Sequence, residues 1–145
     1  MPTDVASKTV TVDAPLETVL ATLRDVAAQP AWVKEVRTAE VLDKNEDGTP
    51  AQARLTASTP VGSDEYVLAY EHRRDGMSWS LVRGRLQTAQ DGSYSLRRKG
   101  KARTDVTFEL KISHHLPLPG FVRRRVIEGL VDSTLTGLQA HVSSS

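Results

Sequence analysis

The fold is decided by the stretch from residue 104 to residue 141, TDVTFELKISHHLPLPGFVRRRVIEGLVDSTLTGLQAH. Its first part alternates apolar and polar side chains, which predicts a strand. Its last part, residues 121–141, spaces apolar residues three and four apart, which predicts a long helix with one apolar face. The strand face consists of Val106, Phe108, Leu110 and Ile112, and the helix stripe of Ile127, Leu130, Val131, Thr134, Leu135 and Leu138. A long helix with one apolar stripe must bury it against another element, and an apolar sheet face can serve.

Six segments before residue 104 also have the alternation and the flanking turn residues of strands. They cover residues 7–13, 36–42, 51–58, 64–73, 77–81 and 86–97. The last of them contains Asp91-Gly92, which indicates either a hairpin turn or a bulge. Between the first two strands, a helix is predicted from the spacing of Leu16, Val19, Leu20 and Leu23. A second short turn over residues 30–33 holds Trp32.

This order of elements predicts a single α+β domain over residues 1–145. A chain of this length can bury roughly 68% of its unfolded surface, which is enough for a core without disulfides or metals. Six or seven antiparallel strands can curve around one long helix and enclose it. The predicted architecture is therefore a curved sheet wrapped around the C-terminal helix.

The composition argues against several classes of protein, among them disulfide-rich, secreted and membrane-spanning proteins. The sequence has no cysteine, so it has no disulfide framework and no thiolate site. Its first residues lack the apolar core of a signal peptide, and no run has the roughly 18 apolar residues of a membrane span. We therefore expect a cytoplasmic protein, either a monomer or a homodimer. The net charge of +1 hides an asymmetry, since residues 1–75 carry 8 Lys/Arg and 13 Asp/Glu and residues 76–145 carry 11 and 5.

Five segments resemble one known family. They are VTVDAPLETV (10–19), QPAWVKEV (29–36), MSWSLV (77–82), GSYSL (92–96) and TDVTFEL (104–110). In this order they are similar to the helix-grip fold of the START-like (SRPBCC) superfamily, in its polyketide cyclase/dehydrase-like branch from actinobacteria. The resemblance implies a seven-stranded curved antiparallel sheet, two short helices between strands 1 and 2, and a bulge rather than a hairpin at Asp91-Gly92.

The resemblance also implies a hollow between the sheet and the long helix, because members of the family range from carriers of lipids and other hydrophobes to enzymes. The candidate lining residues are Leu55, Tyr66, Tyr70, Trp79, Leu81, Arg83, Tyr94, Phe108, Leu130 and Thr134. Alternatively, these side chains pack solidly against each other. Arg83 shares the alternation of Trp79 and could hold a ligand carboxylate or enolate, or it could reach solvent at the strand end. His72 shares the alternation of Tyr70 and is either a general base or a histidine at the rim.

Other kinds of site find little support. His114 and His115 are adjacent on a strand, so their side chains point to opposite faces, and no further ligands join them for a metal. No glycine-rich phosphate loop follows a strand, and no Gly-x-Ser-x-Gly motif is present. The basic run at residues 97–103 lacks the aromatic platform of nucleic-acid binders. We predict no metal, no cofactor and no nucleic-acid partner, and catalytic residues stay unknown.

Leu116-Pro117-Leu118-Pro119-Gly120 leads directly into Arg123-Arg124-Arg125. Two leucines on a stiff loop beside three cations are typical of an edge that makes transient contact with anionic membranes. A solvated face or a clamp for an acidic ligand would use the same arginines.

The sequence thus leaves two main hypotheses. The first is a non-catalytic binder or carrier of a lipid-like or polyketide-like molecule, and the alternative is a polyketide cyclase/dehydratase of the aromatase/cyclase type. A third is a stress or interaction protein with a filled interior. Converging polar groups in the hollow would favour the enzyme, whereas an almost wholly apolar lining would favour the carrier.

Overall fold

A computed structural model of the chain describes residues 3–114 and 117–143. Seven antiparallel strands form one sheet in the order β1-β7-β6-β5-β4-β3-β2. The strands are β1 Thr3–Val12, β2 Val36–Lys44, β3 Pro50–Thr59, β4 Gly62–Arg73, β5 Gly76–Gly84, β6 Gln87–Arg98 and β7 Thr104–His114. The helices are α1 Leu16–Arg24, a 3₁₀ helix Val26–Ala31 and α2 Gly120–Ser143. The helix-grip arrangement expected from the sequence is confirmed.

The sheet and α2 bury the faces that their periodicities predict. In β4 the inward positions Asp64, Tyr66, Leu68 and Tyr70 are all buried, and in β7 they are Thr104, Val106, Phe108 and Leu110. α2 packs mainly along β1 and β7. Its buried side chains are Ile127, Val131, Thr134, Leu135, Leu138 and Val142, and Leu130 is half-buried. The core therefore lies between the concave face of the sheet and one side of this helix.

α2 is held close to the segment that follows the 3₁₀ helix. An added Cβ on Gly137 would lie 1.9 Å from the carbonyl oxygen of Trp32, so only glycine permits this approach. One helical turn earlier, the Ser133 hydroxyl donates to the Glu35 carboxylate, at 2.7 and 2.8 Å from its two oxygens. These contacts join α2 to the chain on one side of the cavity described below.

The strand that contains Asp91-Gly92 is continuous, as the seven-strand prediction required, but the bulge expected there is wrong. Gly92 pairs in regular register with Trp79 of β5 and with Leu110 of β7. The irregularity in this strand lies between Gln87 and Ala89 instead. Glycine stands at position 92 because the indole of Trp79 lies over it.

A second irregularity changes the direction of one candidate side chain. In the β4–β5 pair, Leu68 is opposite Leu81 and Val67 is opposite Arg83, so Val82 has no partner in β4. Such a bulge moves every later residue of the strand to the other face. The expectation that Arg83 faces the hollow is therefore wrong, and its side chain is exposed.

Candidate functional site

A cavity of about 450 Å³ lies between the concave face of the sheet and the first half of α2. Eight of the ten lining residues predicted from the sequence border it. They are Leu55, Tyr66, Tyr70, Trp79, Tyr94, Phe108, Leu130 and Thr134. Ligand binding by these residues stays a prediction, but the structure brings them together around one hollow.

The remaining candidates lie outside the cavity lining. Leu81 is half-buried and packs against the core, and Arg83 points to the outer face beyond the bulge. His72 is half-buried near the opposite end of the sheet, where its Nε2 donates to the carbonyl oxygen of Pro50 at 2.7 Å. Of the two alternatives for His72, a general base in the hollow or a histidine at the rim, this position outside the cavity lining does not favour the general base.

Four aromatic rings form a continuous wall of the cavity. The ring centroids of Trp79 lie 5.2 Å from those of Tyr94, 5.9 Å from Phe108 and 6.1 Å from Tyr70. Tyr94 and Phe108 are 4.7 Å apart. All four pairs are tilted and fall within the range in which aromatic rings attract each other. This wall gives the cavity a largely apolar surface against which a flat ligand can lie.

The tyrosines of the cavity keep their protons at neutral pH. Burial raises the pKa of Tyr66, Tyr70 and Tyr94 well above the ordinary tyrosine value. Within the residues that the structure describes, the buried hydroxyl of Tyr70 has no hydrogen-bond partner. A neutral phenol in this place can donate to a ligand oxygen but cannot act as a base.

A chain of four polar side chains crosses the cavity wall. Trp79 Nε1 donates to Gln90 Oε1 at 2.8 Å, Gln90 Nε2 to Gln87 Oε1 at 2.5 Å, and Gln87 Nε2 to Asp64 Oδ2 at 2.9 Å. The backbone N–H of Leu86 donates to the other carboxylate oxygen of Asp64, also at 2.9 Å. The residue Asp64 as a whole is 1% exposed.

A second polar cluster lies where β1, β7 and α2 meet. Arg123 Nε lies 3.2 Å from Asp4 Oδ2, and His114 Nε2 lies 3.6 Å from the same oxygen. The guanidinium of Arg123 also donates to the carbonyl oxygen of Leu118 at 2.9 Å. All three side chains of this cluster line the cavity.

The comparison with known families agrees with this architecture. Residues 4–143 match the family described as polyketide cyclase/dehydrase and lipid transport. The chain belongs to this family. No curated protein matches the chain by sequence.

Solved structures extend the same relationship. A START superfamily protein from Mycobacterium smegmatis has a TM-score of 0.89 and 26% identity, and each chain covers 97% of the other. A Thermus thermophilus protein has a TM-score of 0.81 and 20% identity, with 99% of this chain and 98% of that chain covered. An aromatase/cyclase from Streptomyces has a TM-score of 0.80 and 14% identity, with 98% and 94% covered. The last two likenesses concern the fold alone.

In this member of the polyketide cyclase/dehydrase and lipid transport family, exposed lining residues mark where the cavity opens. They are Lys34, Pro60, Arg125, Val126 and Gly129. The opening thus lies between the β3–β4 hairpin, the segment after the 3₁₀ helix and the first turns of α2. Two rim residues are cationic, whereas the wall inside is aromatic.

The three consecutive arginines do not form one surface. Arg123 turns inward to Asp4 and is half-buried, whereas Arg124 and Arg125 are exposed. A surface role for all three is therefore wrong, because helical spacing sends consecutive residues in different directions. The rest of the predicted basic edge includes Leu116, which lies outside the described residues together with His115.

Sequence reasoning missed the polar part of the site, although a signal existed. Asp64 shares the two-residue alternation of Tyr66 and Tyr70, and Gln90 shares that of Tyr94. Asp4 was missed because the first strand was expected to begin at residue 7, whereas β1 begins at Thr3. A polar residue that falls on the apolar face of a strand by two-residue alternation is the pattern that identifies the polar groups of the cavity.

Two further observations concern metals and membranes. Among residues 3–114 and 117–143, no three His, Cys, Asp or Glu side chains come together as a metal ion would require. No helix in the described part of the chain is both long enough and apolar enough to cross a membrane.

Proposed function

We propose that this protein binds and carries a hydrophobic small molecule, lipid-like or polyketide-like, in its internal cavity. The observation that carries the proposal is the cavity of about 450 Å³ behind an aromatic wall. This volume falls within the range of roughly 300–1,000 Å³ that small-molecule sites occupy. Burial of apolar ligand surface against such a wall is favourable by about 25 cal/mol per Å² before the costs of association.

The state of the polar side chains favours carriage over catalysis. Trp79, Gln87 and Gln90 donate to one another or to Asp64, and Arg123 is held by Asp4 and a backbone carbonyl. An enzyme of the cyclase type needs polar groups that bind the substrate more tightly in the transition state. Donors that already have acceptors within the protein are poorly suited to that role.

The cluster of Asp4, His114 and Arg123 supports the alternative, a polyketide cyclase/dehydratase. These three side chains border the cavity and include both an acid and a base type. An intramolecular aldol condensation forms one carbon–carbon bond and releases one water, and such a cluster could move the protons. Incubation with a linear poly-β-ketone and mass spectrometry would reveal a product lighter by one water. Equal rates with wild type and the His114→Gln variant would remove this alternative.

Native mass spectrometry of the protein purified from its own host tests the carrier proposal. We expect an added mass that is lost on denaturation and that corresponds to an apolar small molecule. A cavity-filling Leu130→Trp variant should lose it, because Leu130 lines the hollow. The matched control is Val82→Trp, since Val82 is exposed where β5 bulges from its partner. Retention of the ligand by the Leu130→Trp variant would contradict an internal site.

We also propose that the cavity mouth docks transiently on anionic membranes. Phe121 is 60% exposed and Val126 is 36% exposed, both in the first turns of α2. Arg124 and Arg125 are exposed beside them. Apolar side chains that enter the lipid boundary, flanked by cations that meet anionic headgroups, provide the two contributions of interfacial binding. A carrier needs such a surface to collect or release a lipid-like cargo.

A further inference from the structure

We infer that the polar end of the ligand is a hydrogen-bond donor, a hydroxyl or an amine, and that Asp64 receives it. This inference rests on the proposed function, because it assigns a chemical class to the occupant of the same cavity. Two features carry it. One is the direction of the hydrogen bonds that lead to Asp64, and the other is the lack of a charged partner for its carboxylate.

The direction of the polar chain is fixed by its first member. The indole N–H of Trp79 can only donate, so the Gln90 atom that faces it must be the amide oxygen. The amide nitrogen of Gln90 then faces Gln87, whose oxygen must accept, and the nitrogen of Gln87 faces Asp64. Every bond thus points the same way, and the chain ends on a group that accepts.

Asp64 has acceptor capacity left over. An ionised carboxylate can accept about four hydrogen bonds, and Asp64 accepts one from Leu86 and one from Gln87. Within residues 3–114 and 117–143, no Lys, Arg or His side chain forms an ion pair with it. Buried carboxylates are ordinarily paired or well hydrogen-bonded, because desolvation of the charge is costly. A ligand donor would supply what the protein does not.

The other buried carboxylate does not select a ligand in this way. Asp4 already faces the guanidinium of Arg123 and the imidazole of His114. Asp64 also lies at the end of the polar chain that begins at Trp79, so the acceptor and the aromatic wall border the same hollow. A flat apolar body on the wall can therefore place one hydroxyl or amino group at Asp64. A ligand carboxylate in the same place would be repelled by the like charge.

The test compares four probes with one ring system: naphthol, its methyl ether, naphthylmethylamine and naphthoic acid. Displacement of Nile red from the cavity reports their affinities. We expect the wild-type protein to bind naphthol, naphthylmethylamine or both more tightly than the ether, by about tenfold to a hundredfold, because a hydrogen bond to a charged acceptor is lost with the donor. Naphthoic acid should bind more weakly than the ether. If naphthol binds more tightly than naphthylmethylamine, the natural ligand carries a hydroxyl at this end, and the reverse order indicates an amine.

The Asp64→Asn variant should lose the preference for donors and bind naphthoic acid more tightly than wild type. The control is Asp91→Asn, which removes the same charge from an exposed position on β6. The wild-type ranking alone keeps the inference testable if the Asp64→Asn variant does not fold. If neither naphthol nor naphthylmethylamine binds more tightly than the ether, or if naphthoic acid binds most tightly, the inference is overturned and the carrier function is left standing. Binding of none of the four probes, with no displacement of Nile red, would overturn both.

Discussion

The indole of Trp79 lies directly over the backbone of Gly92 on the adjacent strand. A Cβ atom added to Gly92 would be 2.3 Å from two ring carbons and 2.6 Å from the ring nitrogen. The glycine therefore makes room for the central ring of the aromatic wall. The same ring nitrogen begins the polar chain to Asp64. Because Gly92 has no side chain, Trp79 can take the position in which it belongs to both the aromatic wall and the polar chain.

The first prediction follows from this contact. A Gly92→Ala substitution should lower the free energy of unfolding by about 1–3 kcal/mol, because the indole must move and the interior is overpacked. Urea denaturation measures the loss, and a change in tryptophan fluorescence reports the displaced ring. The control is Gly129→Ala in α2, where a Cβ meets no atom within 4 Å. That change should stabilise the protein by up to about 1 kcal/mol, because alanine favours helix. Similar effects of both substitutions would contradict the proposed contact.

The second prediction separates two leucines of α2 that share the predicted stripe. Leu138 is fully buried in the core, whereas Leu130 is half-buried and lines the cavity. Leu138→Ala should cost about 2–5 kcal/mol of stability, because it leaves a new void. Leu130→Ala should cost less, because it only enlarges an existing hollow, and should change ligand affinity instead. Denaturant midpoints and Nile red titrations of the two variants measure this difference. Equal destabilisation by both would mean that Leu130 is a core residue.

The architecture was predictable because it depends on the apolar periodicity within each single strand or helix. The stripe on α2 and the alternation of β7 are both visible without knowledge of any partner strand. Arg83 shows where that approach fails. Its direction depends on how Val67 and Leu68 of β4 align with β5, and the resulting bulge reverses the alternation at the end of the strand. No local pattern in residues 77–84 indicates that irregularity.

The polar groups of the cavity were harder to predict for a related reason. Asp64 is acceptable at an inward position because it accepts from the Leu86 backbone and the Gln87 side chain. Gln90 is acceptable because it accepts from Trp79 and donates to Gln87. For Asp64 on β4, the partners come from β6 and from the connection that leads into it, and for Gln90 on β6 the donor Trp79 comes from β5. A sequence shows that a polar residue is in phase with an apolar face, but it does not show which distant group will satisfy it.

The third prediction concerns alkaline pH. Burial raises the pKa of Tyr66, Tyr70 and Tyr94, while tyrosines of the unfolded chain ionise at about pH 10. Above that pH the unfolded state binds fewer protons than the folded state, so the free energy of unfolding falls as the pH rises. The contribution of these protonated tyrosines to the free energy of unfolding is fully present below about pH 10. Urea titrations at about pH 8 and about pH 11 should show this fall. A Tyr66→Phe/Tyr94→Phe double variant should show a smaller fall, and an equal one would contradict the assignment.

The fourth prediction uses the hydroxyl of Tyr70, which is buried and, within the described residues, has no partner. A Tyr70→Phe substitution should leave stability unchanged or raise it by up to about 1–3 kcal/mol, because it removes an unsatisfied polar group. Thermal unfolding of the ligand-free protein measures the effect. The control is Thr104→Val, since the Thr104 hydroxyl donates to the carbonyl oxygen of Ala14 at 2.9 Å and should be costly to remove. A large loss of stability in Tyr70→Phe would show that the hydroxyl has a partner.

The fifth prediction tests the membrane proposal with charge-matched variants. Arg124 and Arg125 are exposed beside the cavity mouth, whereas Lys99 and Lys101 are exposed at the β6–β7 hairpin, at the far end of the sheet. Each double alanine variant removes two positive charges, so the two variants differ in where on the surface the charges are removed. Wild type and Lys99→Ala/Lys101→Ala should co-sediment with vesicles that contain anionic lipid, and salt should weaken this binding. Arg124→Ala/Arg125→Ala should bind less, by about 1 kcal/mol for each arginine near the surface. Equal binding of both variants at low salt would leave these arginines as a solvated rim.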